Sequence, residues 1–333
     1  MTTTDSRQSL PLQMKALRAH TRGGPEQLVY EDAPTPAAPQ GDDVLVRVAA
    51  AAITFDELTW PETWESGGVD RTPTTPSHEF AGTVFATGPD AHGFSVSDEV
   101  FGLVPFNRNG AAAEYVLVPA SGVAPKPAGV TAVTAAAAVL PALTAMEALD
   151  EQLRLAAGQR LLVRGGTGGV GAFVVQLAHR LGIEVTAAVR SAASVERAER
   201  LGATAVLVGD EAAEVTSAGF DASIDAAGAG SPEWLYRAVR PGGRVVMLQE
   251  PPQAELAERF GVDARFFVVA ARSASLTRLG ELLATGALEV AVAQTFALAD
   301  GRQAYESRGS AARPGKTVLD VAGPHPRVNS HPA

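Results

Sequence analysis

The sequence predicts an α/β protein with a doubly wound parallel sheet and a second, β-rich domain. Up to about residue 124, short alternating strands are broken by turn residues, and from about Lys126 apolar strands alternate with helices. At 333 residues the chain exceeds what one hydrophobic core usually supports, so two domains are expected.

The β-rich domain is predicted to occupy residues 1–125. Its strands are short alternating apolar runs separated by Gly, Pro and Asp residues. They fall at residues 15–19, 44–50, 79–87, 99–101 and 113–118. The proline-rich segment 33–39 is predicted to be a loop, and residues 41–43 are predicted to form the turn before a strand.

The parallel-sheet domain is predicted to occupy residues 126–270. Six apolar runs separated by helical segments are typical of a doubly wound sheet with helices on both faces. These runs are residues 160–164, 183–189, 205–208, 220–225, 243–248 and 265–269. The first helix carries Phe173, Leu177 and Leu181 at four-residue spacing, so one face is expected to pack on the sheet.

The chain is predicted to return to the first domain over residues 271–322. This return contains a helix at 276–285 and strands at 290–297 and 317–321. The last residues, 323–333, hold three prolines and few apolar groups, which predicts a loose tail.

A glycine motif lies between the first strand and the first helix of the parallel sheet. Gly166, Gly168 and Gly171 form the pattern G-x-G-x-x-G. In such a turn, amides and the helix N-terminus face a pyrophosphate, and the last glycine permits close helix–strand contact. The motif alone is weak, because glycines also form ordinary turns. Its place between a strand and a helix favours a dinucleotide-binding Rossmann domain; a methyltransferase would not explain the β-rich domain.

The end of the second strand indicates which dinucleotide binds. NAD enzymes place Asp or Glu about 20 residues past the glycine turn, to hold the ribose hydroxyls. Arg190 and Ser191 stand there instead. A guanidinium can pair with a 2′-phosphate through charge-assisted hydrogen bonds, so NADPH is the predicted cofactor. The alternative is that Arg190 is only a solvated loop residue.

Composition narrows the function classes. The net charge of −10 disfavours nucleic acid as a partner. The alanine-rich segment 131–146 contains Pro141 and lacks about 18 unbroken strongly apolar residues, so no membrane span is predicted. The polar start of the chain predicts a cytoplasmic location. Cysteine is absent, which removes disulfides, thiol nucleophiles and thiolate metal ligands.

Several segments together resemble one family. They are RGGPE at 22–26, VLVRV at 44–48, HEFAG at 78–82, GFSVSDEVFG at 93–102, AEYV at 113–116, LTA at 143–145, RPGGR at 240–244 and GKTVL at 315–319. With the glycine turn, they resemble the zinc-independent quinone oxidoreductase branch of the medium-chain dehydrogenase/reductase superfamily over residues 14–321.

The resemblance implies a GroES-like catalytic domain, a Rossmann NADP-binding domain and a homodimer joined edge to edge through the Rossmann sheets. It also implies cofactor contacts. Gly168, Gly169 and Val170 are expected at the pyrophosphate and Thr144 near the nicotinamide. Residues expected near the nicotinamide half are Leu248, Phe267 and Val268, and the C-terminal loop at Lys316 is expected to reach the cofactor.

The chain departs from this family at two places. Ile53, Thr54, Phe55 and Asp56 stand where many relatives carry an Asn-containing segment, which puts the usual amide contact in doubt. Gly209 stands where relatives often have a Tyr near the adenosine ribose.

Zinc is not predicted. His78 and Glu79 resemble a segment that includes a metal-binding His in zinc alcohol dehydrogenases, but those sites need thiolates that this chain lacks. Without a Lewis acid, a simple ketone is hard to reduce, because its developing alkoxide needs strong stabilisation. In a quinone or enone the charge is delocalised and hydrogen bonds can support it.

Thr54 and Asp56 are the candidate catalytic residues. The candidate walls for a flat substrate are Trp60, Trp64 and Phe106. Their alternatives are structural, because Thr54 can cap a turn and the tryptophans can be ordinary packing residues.

The predicted function is NADPH-dependent, zinc-free reduction of a small molecule, either a quinone or an activated carbon–carbon double bond. A pathway-specific enoyl or polyketide-tailoring reductase shares all these motifs. A non-catalytic NADPH-binding protein is the alternative from a different class.

Overall fold

The computed structural model describes residues 9–209, 214–215, 219–228, 230–310 and 314–323. The chain forms two units. The first contains the chain up to Ala137 and the stretches that begin at Gln294 and Lys316, and the second contains Ala138–Ala293.

The strands and helices have the following bounds. The strands of the N-terminal half are β1 (Gln13–Ala19), β2 (Leu28–Pro34), β3 (Asp43–Ala52), β4 (Glu65–Ser66), β5 (Val69–Asp70), β6 (Glu79–Thr87), β7 (Glu99–Leu103), β8 (Tyr115–Pro119) and β9 (Val123–Pro125). The later strands are β10 (Arg160–Arg164), β11 (Glu184–Val189), β12 (Ala205–Val208), β13 (Phe220–Asp225), β14 (Val239–Met247), β15 (Asp263–Phe266), β16 (Val292–Ala297) and β17 (Lys316–Asp320). The α-helices are α1 (Pro61–Trp64), α2 (Ala132–Glu147), α3 (Gly169–Arg180), α4 (Val195–Arg200), α5 (Glu233–Arg237), α6 (Ala254–Phe260), α7 (Ser273–Ala284) and α8 (Gly301–Glu306).

The first unit is built around β3. This strand pairs antiparallel with β6, β8 and β17, and β6 continues the sheet to β7 and β9. Its Val and Ala side chains suit a strand that is covered on both faces, and Val44, Val46 and Ala51 are fully buried. The pairing brings the C-terminal end of β3, the start of β6 and the start of β17 together.

The second unit confirms the predicted parallel sheet. Its strand order is β12-β11-β10-β13-β14-β15, and every neighbouring pair is parallel. β11 and β12 lie on one side of β10, and β13, β14 and β15 lie on the other. The strand order therefore reverses between β10 and β13. Ligands of doubly wound sheets bind outside the carboxyl ends of the strands at this position.

Helix α3 follows β10 as predicted. Phe173 and Leu177 are buried, whereas Leu181 lies one residue beyond the helix and is 40% exposed. The prediction of a buried apolar face is therefore correct for the residues within α3. It does not hold for Leu181, which follows the helix.

Some boundaries differ from the predictions. The sequence does not predict β2, because the proline-rich segment 33–39 indicates a loop. In the structure the strand continues to Pro34, which pairs with Gln13 of β1. The sixth strand of the parallel sheet is Asp263–Phe266 and not 265–269, so Phe267 and Val268 lie beyond it.

The division of the chain also differs. The structure places the first boundary after Ala137 and the return at Gln294, and not at 126 and 271. The reason is α7, whose buried Leu276 and Leu279 pack in the second unit. Arg278 of this helix also pairs with Asp150 at 2.5 Å. Of the predicted tail 323–333, residues 324–333 lie outside the described residues.

Helix α2 and the π-helical turn that follows it, Ala132–Leu153, are long and apolar enough to cross a membrane by length and composition alone. However, 67% of the apolar window is buried inside the protein, as in a core helix. Pro141 lies within α2.

Candidate functional site

The glycine turn between β10 and α3 leaves room for a ligand. Gly165 has a φ of 77°, and Gly168 is the residue that precedes the first turn of α3. A Cβ on Gly171 would lie 2.1 Å from the carbonyl oxygen of Gly165, and a Cβ on Gly166 would lie 2.7 Å from the Cβ of Ala187. These two glycines therefore permit close packing within the turn and against β11.

The outer side of the turn is open. A Cβ on Gly169 would meet nothing within 4 Å, and Gly168 and Gly169 are exposed. The first amides of a helix have no partner within it and carry positive potential. The start of α3, including partly buried Val170, thus fits a pyrophosphate at the carboxyl end of β10.

Arg190 and Ser191 lie where β11 ends, and both are exposed. Gly209, at the end of the neighbouring β12, would place a Cβ 3.9 Å from the Arg190 carbonyl oxygen. Two other arginines that could have added positive charge, Arg197 and Arg200, instead contact Glu289 at 3.0 and 3.4 Å. Arg190 is therefore an exposed cation at the end of β11.

An ion pair that was not predicted joins two strand ends. Arg164, the last residue of β10, donates to Asp225 Oδ2 at 2.8 Å and to the carbonyl oxygens of Gly228 and Gly230 at 3.1 and 3.0 Å. Asp225 is buried at the end of β13 and also accepts from the Ala227 amide at 3.0 Å. The pair orders the loop after β13 beside the glycine turn.

The remaining predicted cofactor residues of the second unit occupy different environments. Thr144 is 9% exposed, and its hydroxyl donates to the Leu140 carbonyl oxygen at 2.7 Å within α2. Leu248 is partly buried and directly follows β14, and Phe267 and Val268 directly follow β15. Because the sheet is parallel, these three lie at the same edge as the glycine turn.

A polar cluster lies in the first unit at the end of β3. Lys316 Nζ is 2.5 Å from Glu79 Oε1 and donates to the Thr54 hydroxyl at 3.1 Å. The Thr54 hydroxyl is 3.4 Å from Glu79 Oε1. Glu79 is buried and Lys316 is 14% exposed. Thr54, Glu79 and Lys316 are called the Thr54 cluster below.

The prediction that Lys316 lies in a C-terminal loop is wrong. Lys316 is the first residue of β17 and not part of a loop, and it forms an ion pair with Glu79 within the first unit. Strand pairing of β17 with β3 and of β3 with β6 brings the two residues together.

Asp56 forms its ion pair with Arg308, which is not part of this cluster. Both of its carboxylate oxygens bind Arg308, with Oδ2 at 3.0 Å from Nη2. Both side chains are partly solvated, at 34% and 63% exposure. Its catalytic assignment remains a prediction.

Glu57, the next residue along the chain, is the buried acid that the sequence interpretation missed. Its Oε1 accepts from the Tyr305 hydroxyl at 2.5 Å and from the Thr54 amide at 3.2 Å. Its Oε2 accepts from the Ser77 amide at 2.8 Å. Burial raises the pKa of Glu57 to about 7, against the opposing effect of these hydrogen bonds.

Ser77 itself has an unusual backbone. Its φ is 66°, in the left-handed region that non-glycine residues rarely adopt. The side chain is fully buried, and its hydroxyl contacts Tyr305 at 3.1 Å. Such backbone strain is common at functional sites and persists only where surrounding contacts impose it.

His78 lies against both this acid and an aromatic wall. Its Nε2 is 3.9 Å from Glu57 Oε2, and its ring is 5.2 Å from that of Phe106. Burial, with Arg71 nearby, lowers the pKa of His78 to about 3, so the ring is neutral. Trp60 contacts Phe106 edge to face at 5.1 Å, so two of the three predicted wall residues are adjacent.

Trp64, the third predicted wall residue, is a core residue. It is 4% exposed within the hydrophobic core of the first unit, and its Nε1 donates to the Leu58 carbonyl oxygen at 2.8 Å. The alternative interpretation, ordinary packing, is correct for this tryptophan.

The donor set around His78 does not fit a metal. Within the described part of the chain, no three or more His, Cys, Asp or Glu side chains are grouped so that they could hold an ion. The nearest acid to His78 Nε2, Glu57, has both oxygens occupied by protein donors.

Two family models match the chain. Residues 40–128 match the alcohol dehydrogenase GroES-like domain, and residues 169–273 match the family described as zinc-binding dehydrogenase.

Two curated relatives are named as reductases. The trans-enoyl reductase pgmF of Aspergillus terreus is 34% identical over 173 residues, which are 50% of this chain and 48% of that protein. The 2-methylene-furan-3-one reductase of Solanum lycopersicum is 33% identical over 248 residues, which are 72% of this chain and 63% of that protein. The chain thus spans about half of the first relative and under two thirds of the second.

Solved structures share the fold. The quinone oxidoreductase of Coxiella burnetii has a TM-score of 0.82 at 23% identity, covering 93% of this chain and 99% of that one. The mycobacterial protein Rv1454c complexed with NADPH has a TM-score of 0.79 at 26% identity, covering 92% and 100%.

Proposed function

We propose that this chain, a member of the medium-chain dehydrogenase/reductase superfamily, is of its quinone oxidoreductase branch and reduces a quinone or an enone with NADPH. The single observation that carries this proposal is the Thr54 cluster, with a hydroxyl and an ammonium group 3.1 Å apart in a unit without cysteine. Such donors can stabilise an oxygen that gains negative charge.

The second unit is proposed to bind the cofactor. The open amides at Gly168 and Gly169 would hold the pyrophosphate, and Arg190 would pair with the 2′-phosphate. When bound, NADPH supplies the hydride. The fit to NADPH is supported by the absence of an acid at the end of β11, since Glu184 stands at the opposite end of that strand.

The first unit is proposed to stabilise the acceptor. The Thr54 hydroxyl accepts from Lys316 Nζ and donates its one proton to Glu79 Oε1 at the long distance of 3.4 Å. Rotation of the hydroxyl away from Glu79 would let it donate to the carbonyl oxygen of a quinone or enone instead. The Lys316 ammonium strengthens this donor, and Glu79 holds Lys316 in place. Trp60 and Phe106 offer aromatic surface beside His78 for a flat acceptor.

Replacement of Thr54 by Ala tests this assignment. We expect the single-turnover rate of NADPH oxidation by 1,4-benzoquinone or 2-cyclohexenone to fall on the order of tenfold to a hundredfold. The Kd for NADPH should change less than about twofold. Thr59→Ala is the matched control, because that hydroxyl is exposed and donates only to the Asp56 carbonyl oxygen among its described contacts. Unchanged kinetics in Thr54→Ala would leave Thr54 as a turn residue.

A second candidate acceptor is an enoyl thioester. It is supported by the similarity to a trans-enoyl reductase over half of this chain. A panel of benzoquinone, cyclohexenone and crotonyl-coenzyme A distinguishes the acceptors by kcat/KM. Tight NADPH binding without turnover of any of them would instead favour a non-catalytic binding protein.

The reaction is proposed to proceed without zinc. The chain has no cysteine, so the thiolate sites of zinc dehydrogenases cannot form. Elemental analysis of purified protein should find no stoichiometric zinc, and a chelator should leave activity unchanged. One tightly bound zinc per chain, with activity lost on its removal, would contradict this.

A homodimer through β15 is also proposed. This strand lies at one edge of the six-stranded sheet, and its last residue, Phe266, is 39% exposed. Val268, two residues beyond the strand, is 62% exposed. An edge strand offers main-chain groups that a second copy can pair with. Light scattering should show that Val268→Asp dissociates the dimer, whereas Val96→Asp, at an equally exposed valine of the first unit, should not.

A further inference from the structure

A cavity of about 620 Å³ lies in the first unit, apart from the Thr54 cluster. Its walls come from β1, the end of β2, the start of β3, β8 and the loop around residues 107–110. None of Thr54, Glu79 and Lys316 lines it. The volume is within the range of small-molecule sites.

The cavity has a basic wall in an acidic protein. Arg18, Arg71 and Arg108 line it, and Asp43 is the acid among its lining residues. The whole chain has a net charge of −10. Asp43 pairs with Arg108 and Glu31 pairs with Arg18, so Arg71 supplies the net positive charge of this wall within the described part of the chain, and that charge would attract an anion.

Fixed protein groups hold each guanidinium. Arg108 Nη1 is 2.7 Å from Asp43 Oδ1, and Arg18 Nη1 is 3.1 Å from Glu31 Oε1. Arg71 Nη1 donates to the carbonyl oxygens of Glu62, Thr63 and Phe106, the last at 3.1 Å.

One donor of this wall lacks a partner. Arg71 Nη2 is buried and makes no hydrogen bond within the described part of the chain. A guanidinium has five N–H groups, and the contacts of Arg71 to protein carbonyl oxygens are all made through Nη1. The fork of Arg71 is thus already oriented, with little side-chain entropy left to lose on binding.

Another part of the cavity wall is apolar, although Thr75, Asn107 and Asn109 also line the cavity. Met14, Pro34, Pro36, Ala37 and Leu117 line it. Inorganic phosphate would leave this surface uncovered, whereas an apolar body attached to a carboxylate would cover it.

We propose that this cavity binds a small organic carboxylate with an apolar body, at a site separate from hydride transfer. The carboxylate pairs with the guanidinium groups, and the apolar body packs against the prolines and Ala37. The inference does not depend on the proposed reaction, because binding is measured without cofactor or acceptor.

Calorimetric titration of the full chain with sodium octanoate tests the proposal. We expect saturable binding with one site per chain, and much weaker binding of 1-octanol, which has the same apolar chain without the charge. Arg108→Gln should weaken octanoate binding on the order of tenfold. Arg180→Gln, at an exposed arginine outside the cavity, should not weaken it.

Filling the cavity gives an independent test. Ala37→Trp places a large side chain in the cavity from an exposed loop position and should abolish octanoate binding. Ala38→Trp, at the exposed neighbouring position that does not line the cavity, should leave binding intact. Circular dichroism should show that both variants are folded.

Several results would overturn the proposal. They are no saturable octanoate binding, equal binding by 1-octanol, binding that persists in Ala37→Trp, and binding of inorganic phosphate without binding of octanoate. The last would identify a simple anion site.

Discussion

The glycine turn of the second unit and the Thr54 cluster of the first unit are held in place in different ways. The tightest contact of the turn is local, because a Cβ on Gly171 would lie against the carbonyl oxygen of Gly165, six residues earlier. The cluster joins Lys316 to a threonine 262 positions earlier in the chain. The glycine turn can therefore be recognised from its own residues. The Thr54 cluster cannot, because it forms only when distant strands pair.

The largest expected effect is at the turn. In Gly171→Ala the added Cβ would lie 2.1 Å from the Gly165 oxygen, and backbone would have to move to accept it. We expect a loss of about 4 kcal/mol in the free energy of unfolding, measured by urea denaturation. Gly169→Ala is the matched control, because its Cβ would meet nothing within 4 Å. Its stability should be unchanged or about 0.5 to 1 kcal/mol higher. Equal effects at both glycines would show that close packing does not define this turn.

Glu57, a buried acid of the first unit, should produce the next largest effect, as a pH dependence of stability. Burial raises the pKa of Glu57 from 4.5 to about 7. Between these values the native state holds a proton that the unfolded chain releases. The stabilisation by Glu57 is therefore complete below pH 4.5 and is lost as pH rises to 7, by about 3 kcal/mol.

Glu57→Gln isolates this contribution. The difference in unfolding free energy between wild type and Glu57→Gln should fall across the window from pH 4.5 to 7 and be constant above it. The pKa of His78 is lowered to about 3 in the folded protein, so its contribution to stability rises with pH. His78 is present in both proteins, so this contribution cancels in the difference between their unfolding free energies. Parallel stability curves for the two proteins would contradict a perturbed Glu57.

The same contrast explains which parts of the site could be predicted. Strands 160–164, 205–208 and 220–225 have the predicted bounds, because each is a short apolar run ended by a glycine or a polar residue. Glycine spacing also located the cofactor turn. The apolar runs and the glycine spacing lie within, or a few residues from, the strands and the turn that they predict.

The acids of the first unit could not be predicted in this way. Asp56 and Glu57 are adjacent, and nothing local distinguishes the solvated one from the buried one. Tyr305 and Ser77, which bind Glu57, come from distant segments. Only the antiparallel register of β3 and β6 brings Glu79 close to Thr54, and that register is a property of the whole sheet.

At the end of β11, the expected effect is on cofactor choice. Arg190→Ala should weaken NADPH binding roughly tenfold to a hundredfold, or about 1.5 to 3 kcal/mol, because a charge-assisted pairing with the 2′-phosphate is lost. NADH binding should be little affected. Fluorescence titration of both cofactors measures this, with Arg180→Ala as a control at another exposed arginine. Equal wild-type affinities for NADH and NADPH would contradict the role of Arg190.

The smallest expected effect is at Asp56. Its pair with Arg308 is partly solvated, at 34% and 63% exposure, and such surface pairs contribute about 0 to 1 kcal/mol. Asp56→Asn keeps the shape of the side chain and removes its charge. If the ion pair is the main contribution of Asp56, unfolding free energy should change by less than about 1 kcal/mol and single-turnover rates by less than about twofold. Arg308→Gln should give the same small changes, because it removes the same pair from the other side. A tenfold loss of rate in Asp56→Asn, with normal rates in Arg308→Gln, would instead give Asp56 a catalytic role that its ion pair does not indicate.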